Sequence, residues 1–545
     1  MLKKNDIFEL TIDDVTLEGS GVGRLQGMAV FVPAAAAGDV IRCRIVKVLK
    51  SMAYGIAEEI LVPSPDRADR GCGVRRTCGG CVFRDISYEA ELSVKGRAVE
   101  NAFVRMGGFP RETFELLPVL GCEVTDRYRN KAQYPVTVNG EGKAVCGFYA
   151  KRSHRVAPCD DCLLQPEIFG DIVREILGGV NRENIPVYDE GTGRGLLRHI
   201  YLRRGHYSGE IMVCPVVTRE EMAFTDILKG LPGRFPGIKS IVLNINRDRS
   251  NVILGKKYVT VWGEDVIRDR MCGNEIRLSP GAFYQVNTPQ AERLYRQAAE
   301  FAGLTGTEEV LDLYCGAGTI GLYLARSARR VTGAEIVREA VENARANAAA
   351  NGIGNIDFIC ADAGEAAEHF AREGRRPRVI VTDPPRKGCD VLTLESIVKM
   401  SPERVVMVSC NPATAARDCR FLADRGYSLI KLRAVDMFPG AGHVETVCLL
   451  SKLKSDQHIE VELKTDELDL TSAESKATYD EIKDYIKEHT GLTVSSLNIA
   501  QVKQKCGIIE RENYNKAKSK DSRQPKCTKE KEEAIMEALE HFSMI

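Results

Sequence analysis

No charge of either sign prevails in this chain: 76 lysines and arginines face 76 aspartates and glutamates over 545 residues. That balance excludes a globally basic nucleic-acid binder, so any basic surface has to be local. Also missing is an apolar run of the roughly 20 residues that a membrane helix needs. Met1-Leu2-Lys3-Lys4 runs straight into an alternating strand pattern, without the apolar core of a secretory signal. These absences lead us to expect a soluble, cytoplasmic protein, and nothing points to an obligate protein partner. In a reducing compartment its 18 cysteines act as metal ligands, nucleophiles or inert core residues rather than disulfides.

What is present is organised around Val310-Leu311-Asp312-Leu313-Tyr314-Cys315-Gly316-Ala317-Gly318-Thr319-Ile320-Gly321. It reads as a buried strand, a tight glycine turn that lets backbone approach a ligand, and the start of a helix. The next strand, Arg330 to Glu335, ends in a carboxylate placed for two ribose hydroxyls. Gly316, Gly318 and Gly321 spell G-x-G-x-x-G, so a dinucleotide competes with S-adenosylmethionine for this crevice. Asp312 and the downstream runs Asp383-Pro384-Pro385 and Ser409-Cys410-Asn411-Pro412 decide for S-adenosylmethionine. Hydride transfer has no evident use for them, whereas methyl transfer to a pyrimidine ring does.

A chain this long calls for several domains. Residues 1–60 alternate as short strands (Ile7 to Ile12, Ala29 to Val32, Val40 to Val46) with glycine turns, the pattern of a small OB-like barrel. Gly19-Ser20-Gly21-Val22-Gly23-Arg24 with Val32-Pro33 and Gly38-Asp39 resembles the TRAM domain, which implies RNA contact; the plain alternative is a barrel without a ligand. Residues 61–270 read as a central α+β domain that carries Cys72-x5-Cys78-x2-Cys81 on a glycine-rich loop. Three such thiolates call for a fourth ligand, Cys159 or Cys162, and spacing alone leaves zinc and a [4Fe-4S] cluster both open.

Residues 271–455 alternate strand and helix, the doubly wound pattern of a Rossmann-like α/β domain. Phe283-Tyr284-Gln285-Val286-Asn287 precedes a helix begun by Thr288-Pro289, and Asp362 ends a strand where an acid can meet an adenine amino group. Cys410 stands at a strand end on the cofactor rim, a nucleophile rather than a core thiol. Glu445, in His443-Val444-Glu445-Thr446, is by itself either a base or a surface acid. Residues 456–476 read as a polar linker and 477–545 as a small helical domain, either a nucleic-acid-binding helix-turn-helix or a packing module. Basic clusters at Arg127–Lys131, Lys151–Arg155, Arg194–Arg204 and Lys516–Lys531 make an RNA-facing side plausible.

Residues 1 to 453 together resemble the RNA uracil-5-methyltransferase family, and within it the ribosomal-RNA enzymes that carry an iron–sulfur cluster. The resemblance implies cofactor contacts at Gln285, Tyr314, Glu335 and Asp383, with Gly316 in the glycine loop. It implies Cys410 as nucleophile, Glu445 as base, and Cys72, Cys78, Cys81 and Cys162 as cluster ligands, with Cys159 the rival for the fourth place. Because the tRNA-specific members lack cluster and barrel, it also implies 23S rRNA as substrate. A tRNA uracil-5 enzyme, an RNA cytosine-5 methyltransferase and a non-catalytic RNA-binding iron–sulfur protein are the alternatives. The chemistry calls for a thiolate at Cys410, so a site that favours the anion is expected.

Overall fold

A computed structural model describes residues 2–452, 479–506 and 528–542. The chain divides into two compact units, Met1–Lys454 and Ser455–Ile545. In the first, strands Ile7–Val15, Ser20–Leu25, Met28–Pro33, Val40–Val48 and Met52–Val62 close into a barrel. Alternation places Leu10, Ile12, Val30, Val32, Ile41, Cys43 and Ile45 inside it, all buried. Gly19, at φ +73°, lies so close to Val82 that a Cβ would come within 2.6 Å of it. The barrel's first turn thereby rests on the loop of Cys72, Cys78 and Cys81.

A seven-stranded sheet follows, ordered Lys257–Gly263, Ile238–Ile245, Ile211–Val217, Leu197–Arg204, Lys131–Val138, Ala144–Tyr149, Val156–Pro158. The helix Glu167–Arg182 contributes Phe169, Ile172, Val173 and Ile176 to the core on it.

An eight-stranded sheet carries the glycine loop. Its order is Ile356–Cys360, Arg330–Glu335, Glu309–Leu313, Val379–Thr382, Arg404–Ser409, Glu445–Lys452, Tyr427–Val435, Glu115–Leu120. The first five strands are parallel, and Glu445–Lys452 runs antiparallel to both of its neighbours. The parallel strands are buried on both faces, hence their near-continuous apolar runs. Their order reverses at Glu309–Leu313, which opens a crevice at the carboxyl ends. The last strand, Glu115–Leu120, comes from the segment read as the central domain and pairs in parallel with Tyr427–Val435.

In the second unit, helices Tyr479–Thr490, Ser496–Lys505 and Lys529–His541 are the helices among the described residues. Ile482, Ile486, Val494, Ile499, Val502, Ile535, Ala538 and Leu539 form their common core. Ser495 Oγ accepts the Asn498 N–H at 3.2 Å and so caps the second helix. The segment read as a linker, 456–476, and residues 516–527 of the last lysine cluster lie outside the described residues. No described helix is long and apolar enough to cross a membrane.

Candidate active site and a cysteine cavity

A cavity of about 890 Å³ opens at the carboxyl ends of the parallel strands. Gln285, Tyr314, Gly316, Glu335, Asp383, Cys410 and Glu445, each singled out in the sequence, all line it. The glycine loop forms one wall. Gly318, at φ +79°, would drive a Cβ to within 2.8 Å of Phe358, so only glycine suits this turn. Gly316 faces open space, and Tyr314 sits at φ +64°, uncommon for an aromatic residue. Glu335 ends its strand with Oε2 accepting the Gly316 N–H at 3.1 Å and Oε1 accepting that of Val337 at 2.9 Å. These bonds fix a carboxylate beside the glycine turn, where a nucleoside's hydroxyls are bound in folds of this kind.

Asp362 stands apart from these residues. It does not line the cavity; its Oδ1 accepts the Gly364 N–H at 2.9 Å and caps the helix Ala363–Arg372. Local capping chemistry uses the side chain that the strand-end position suggested for an adenine.

Asp383, Arg386, Cys410, His443 and Glu445 line the same cavity. Burial pushes the Asp383 carboxyl up to about 7. Glu445 is pushed up to about 8 by burial and then by Asp383, against the pull of Arg386. The Cys410 thiol is also raised, first by burial, then by Glu445 and Asp383; Arg386 and its own N–H oppose the rise. The expected preference for a thiolate is therefore not built into the site. Burial, together with two carboxyls facing the sulfur, outweighs the one cation beside it.

Arg129, Lys131, Phe438 and His443 also line this cavity, although sequence reasoning gave them no role in it. The signal was there: Arg127, Arg129 and Lys131 alternate as they enter the strand Lys131–Val138, which sends Arg129 and Lys131 to one side. Lys131 is pushed down to about 8 by burial and by the charges of Arg203 and Arg129.

Arg129 and Lys131 face a second cavity of about 260 Å³, which Cys72, Cys78, Cys81, Cys159 and Cys162 also line. Every described cysteine is free. The Gly80 N–H points at Cys78 Sγ, 3.4 Å away. Burial and the neighbouring sulfurs push Cys162 up to about 11 and Cys159 up to about 12. Among the described residues, no three His, Cys, Asp or Glu side chains stand in metal-holding geometry. The thiols thus converge on one cavity without closing into a centre.

Residues 240–453 match the family model for tRNA (uracil-5-)-methyltransferase, and residues 2–57 match that for the TRAM domain. An uncharacterized RNA methyltransferase of Halalkalibacterium halodurans is 43% identical over 450 residues, which are 82% of this chain and 98% of that protein. One of Clostridium acetobutylicum is 39% identical over 453 residues, 83% of this chain and 98% of the other. Among solved structures, the Pyrococcus abyssi tRNA (uracil-54, C5)-methyltransferase in complex with S-adenosyl-L-homocysteine superposes with a TM-score of 0.65. It is 26% identical, and the match covers 81% of this chain and all of that one.

Proposed function

Since the chain belongs to the RNA uracil-5-methyltransferase family, whose members use S-adenosylmethionine, we propose that Cys410 and Glu445 carry out the methylation of a uridine at C5 in 23S rRNA. The observation that carries this reading is that Cys410, Asp383 and Glu445 share one cavity with Gly316 and Glu335. Gln285, Tyr314, Gly316, Glu335 and Asp383 would hold S-adenosylmethionine, which supplies an electrophilic methyl group when bound. The carboxylate beside an open glycine turn suits a nucleoside of this kind.

Uracil C5 is too weak a nucleophile to take a methyl group unaided. Cys410, as thiolate, adds to C6, and the ring electrons move onto O4 as an enolate. C5 then takes the methyl group. Glu445 removes the C5 proton, the C5–C6 double bond re-forms, and the Cys410 thiolate is expelled. The sequence is covalent catalysis followed by general-base work. The target base has to leave its stack to enter the cavity.

The resemblance to the cluster-bearing rRNA enzymes is what favours rRNA as the substrate, and the barrel does not discriminate, because the likeness to a tRNA enzyme covers 81% of this chain. A tRNA substrate is the second reading, favoured by the likeness to a structure of a tRNA enzyme. Five free thiols around about 260 Å³ are a donor set suited to an iron–sulfur cluster, which Cys72, Cys78, Cys81 and Cys162 would hold, with Cys159 as the surplus thiol. Zinc accepts the same donors. The deciding experiment incubates anaerobically purified protein with S-adenosylmethionine and unmodified 23S rRNA or tRNA, then digests the RNA for mass spectrometry. 5-Methyluridine in rRNA alone is the expected result. Its appearance in tRNA alone moves the substrate to the second reading, and no methylated base in either overturns the catalytic assignment.

A further inference from the structure

The loop between the strands Tyr427–Val435 and Glu445–Lys452 is gripped along its first half by groups from four other parts of the chain. Lys95, on the helix Tyr88–Asn101, donates to Glu91 Oε1 and Asp436 Oδ1, each at 2.7 Å, and to the Phe438 carbonyl at 3.1 Å. All three ionic side chains are fully buried. Glu91 Oε1 also accepts the Gly440 N–H at 2.6 Å. Asp436 accepts the Phe438 N–H at 3.0 Å and the Tyr88 hydroxyl at 2.8 Å. Asn287 donates to the Met437 carbonyl and Tyr128 to that of Pro439, both at 3.1 Å. The N–H groups of Val82 and Phe83, beside Cys81, donate to the Gly440 carbonyl at 2.8 and 3.1 Å.

This concentration of polar groups calls for a reason, because an apolar contact would cover the loop with less desolvation. The end of the loop suggests one. Glu445 is the first residue of the next strand, and its backbone lies opposite Val435, on the other side of the loop. Its carboxyl is buried and, among the described residues, receives no hydrogen bond or ion pair. Its direction is therefore set by the backbone that leads into it and by the walls that Phe438, Ala441 and His443 provide from the same loop. Buried ions with every partner fixed define one loop arrangement where apolar packing would accept several.

We propose that Lys95 is a positioning residue for Glu445: by holding Glu91 and Asp436 it fixes the loop that aims the carboxyl at the substrate. The inference rests on the reading of Glu445 as the base. Lys95 does not itself reach the cavity. The cofactor wall is built from other strands, so removing the ammonium is expected to spare cofactor binding and to slow the step that needs Glu445.

The test compares Lys95→Met, Glu445→Gln and the unaltered full chain, with S-adenosylmethionine and substrate RNA. It reads the turnover number, the cofactor dissociation constant and the protein–RNA adduct that survives a denaturing gel. Lys95→Met is expected to lose at least about 30-fold in turnover, to bind cofactor within threefold of the unaltered protein, and to accumulate the adduct as Glu445→Gln does. A general loosening of the fold would slow adduct formation along with turnover and would weaken cofactor binding. Adduct in Glu445→Gln but not in Lys95→Met, or turnover within threefold of normal, overturns the positioning role alone. Adduct in neither variant overturns the base assignment and the positioning role with it. Where Lys95→Met does not fold, Tyr128→Phe, which removes only the bond to Pro439, carries the test: a three- to tenfold loss with adduct supports the proposal, and unchanged turnover refutes it.

Discussion

Replacing Arg386 by methionine should move the pH dependence of the reaction before it does anything else. Arg386 is the charge that opposes the upward push on both Cys410 and Glu445. Its main-chain carbonyl accepts from Asn411 Nδ2 at 3.1 Å, so the tie between the two loops survives a change of side chain. An opposite charge near an ionisable group shifts it by about 1–3 units. The Arg386 side chain is exposed, and water screens it, so the lower end of that range applies. With Glu445 near 8, about a tenth of it is ionised at pH 7, and a rise of about one unit leaves about a hundredth. Cys410 moves in the same direction, so the loss at pH 7 is at least about tenfold.

Both groups act as anions, so raising their pKa values displaces activity to higher pH, and the deficit should shrink steadily toward pH 9.5. Arg386→Lys keeps the charge and should keep most of the profile. The assay is the single-turnover rate of 5-methyluridine formation between pH 6 and 9.5 for the three proteins. A loss in Arg386→Met that is equal at every pH would show that the guanidinium acts by contact with RNA and not through these two groups.

Cys410→Ala should abolish turnover and leave the cofactor dissociation constant within a few-fold, measured by calorimetry, since Cys410 follows the strand Arg404–Ser409 and is not part of the glycine loop. Cys78→Ser should bleach the brown absorbance of anaerobically purified protein; colourless unaltered protein would point to zinc or to no metal. Asp312 is fully buried and pushed up to about 8 by burial, then by Asp383 and Glu335. An unfolded aspartate titrates near 3.9, so between about pH 4 and 8 the native state holds the extra proton, and stability falls as pH rises through that window. Asp312→Asn removes this term, and its melting temperature should fall less than that of the unaltered protein between pH 5.5 and 8.5.

Much of the cofactor side was legible in the sequence because parallel strands read as apolar runs that end in polar loops. Val379-Ile380-Val381-Thr382 and Val405-Val406-Met407-Val408-Ser409 announce where Asp383 and Cys410 must emerge. At Asp362 two short-range signals coincide. It ends a strand, yet Asp362 with Glu365 three residues on is also the spacing of a helix cap, and the cap is what forms. The long-range features had no local signal at all. Glu115–Leu120 becomes the eighth strand by pairing with residues more than 300 positions away. Lys95 looks like any surface lysine on an amphipathic helix until Asp436, 341 residues later, is folded against it.

The raised values at Cys410 and Glu445 look adverse for a reaction that needs both as anions, but it needs them in turn. Charge coupling is reciprocal: if an ionised Glu445 disfavours the Cys410 thiolate, the thiolate equally disfavours an ionised Glu445. A carboxyl that titrates near 8 is mostly protonated at pH 7, and in that state it no longer opposes the thiolate when the attack on C6 requires it. Once the sulfur is bonded to carbon its charge is gone, and the ionised carboxylate meets one repulsion fewer at the step where a base is wanted. Burial and Asp383 then keep Glu445 raised, with Arg386 opposing them. On this reading the shared cavity does not hold a standing thiolate and a standing carboxylate side by side, which burial would make costly. The charge that leaves the sulfur for the ring is cancelled when C5 takes the methyl group of a cationic donor. As the ionised Glu445 takes the C5 proton, its own charge returns to the expelled sulfur, and the network around Lys95 keeps that carboxyl where the proton leaves.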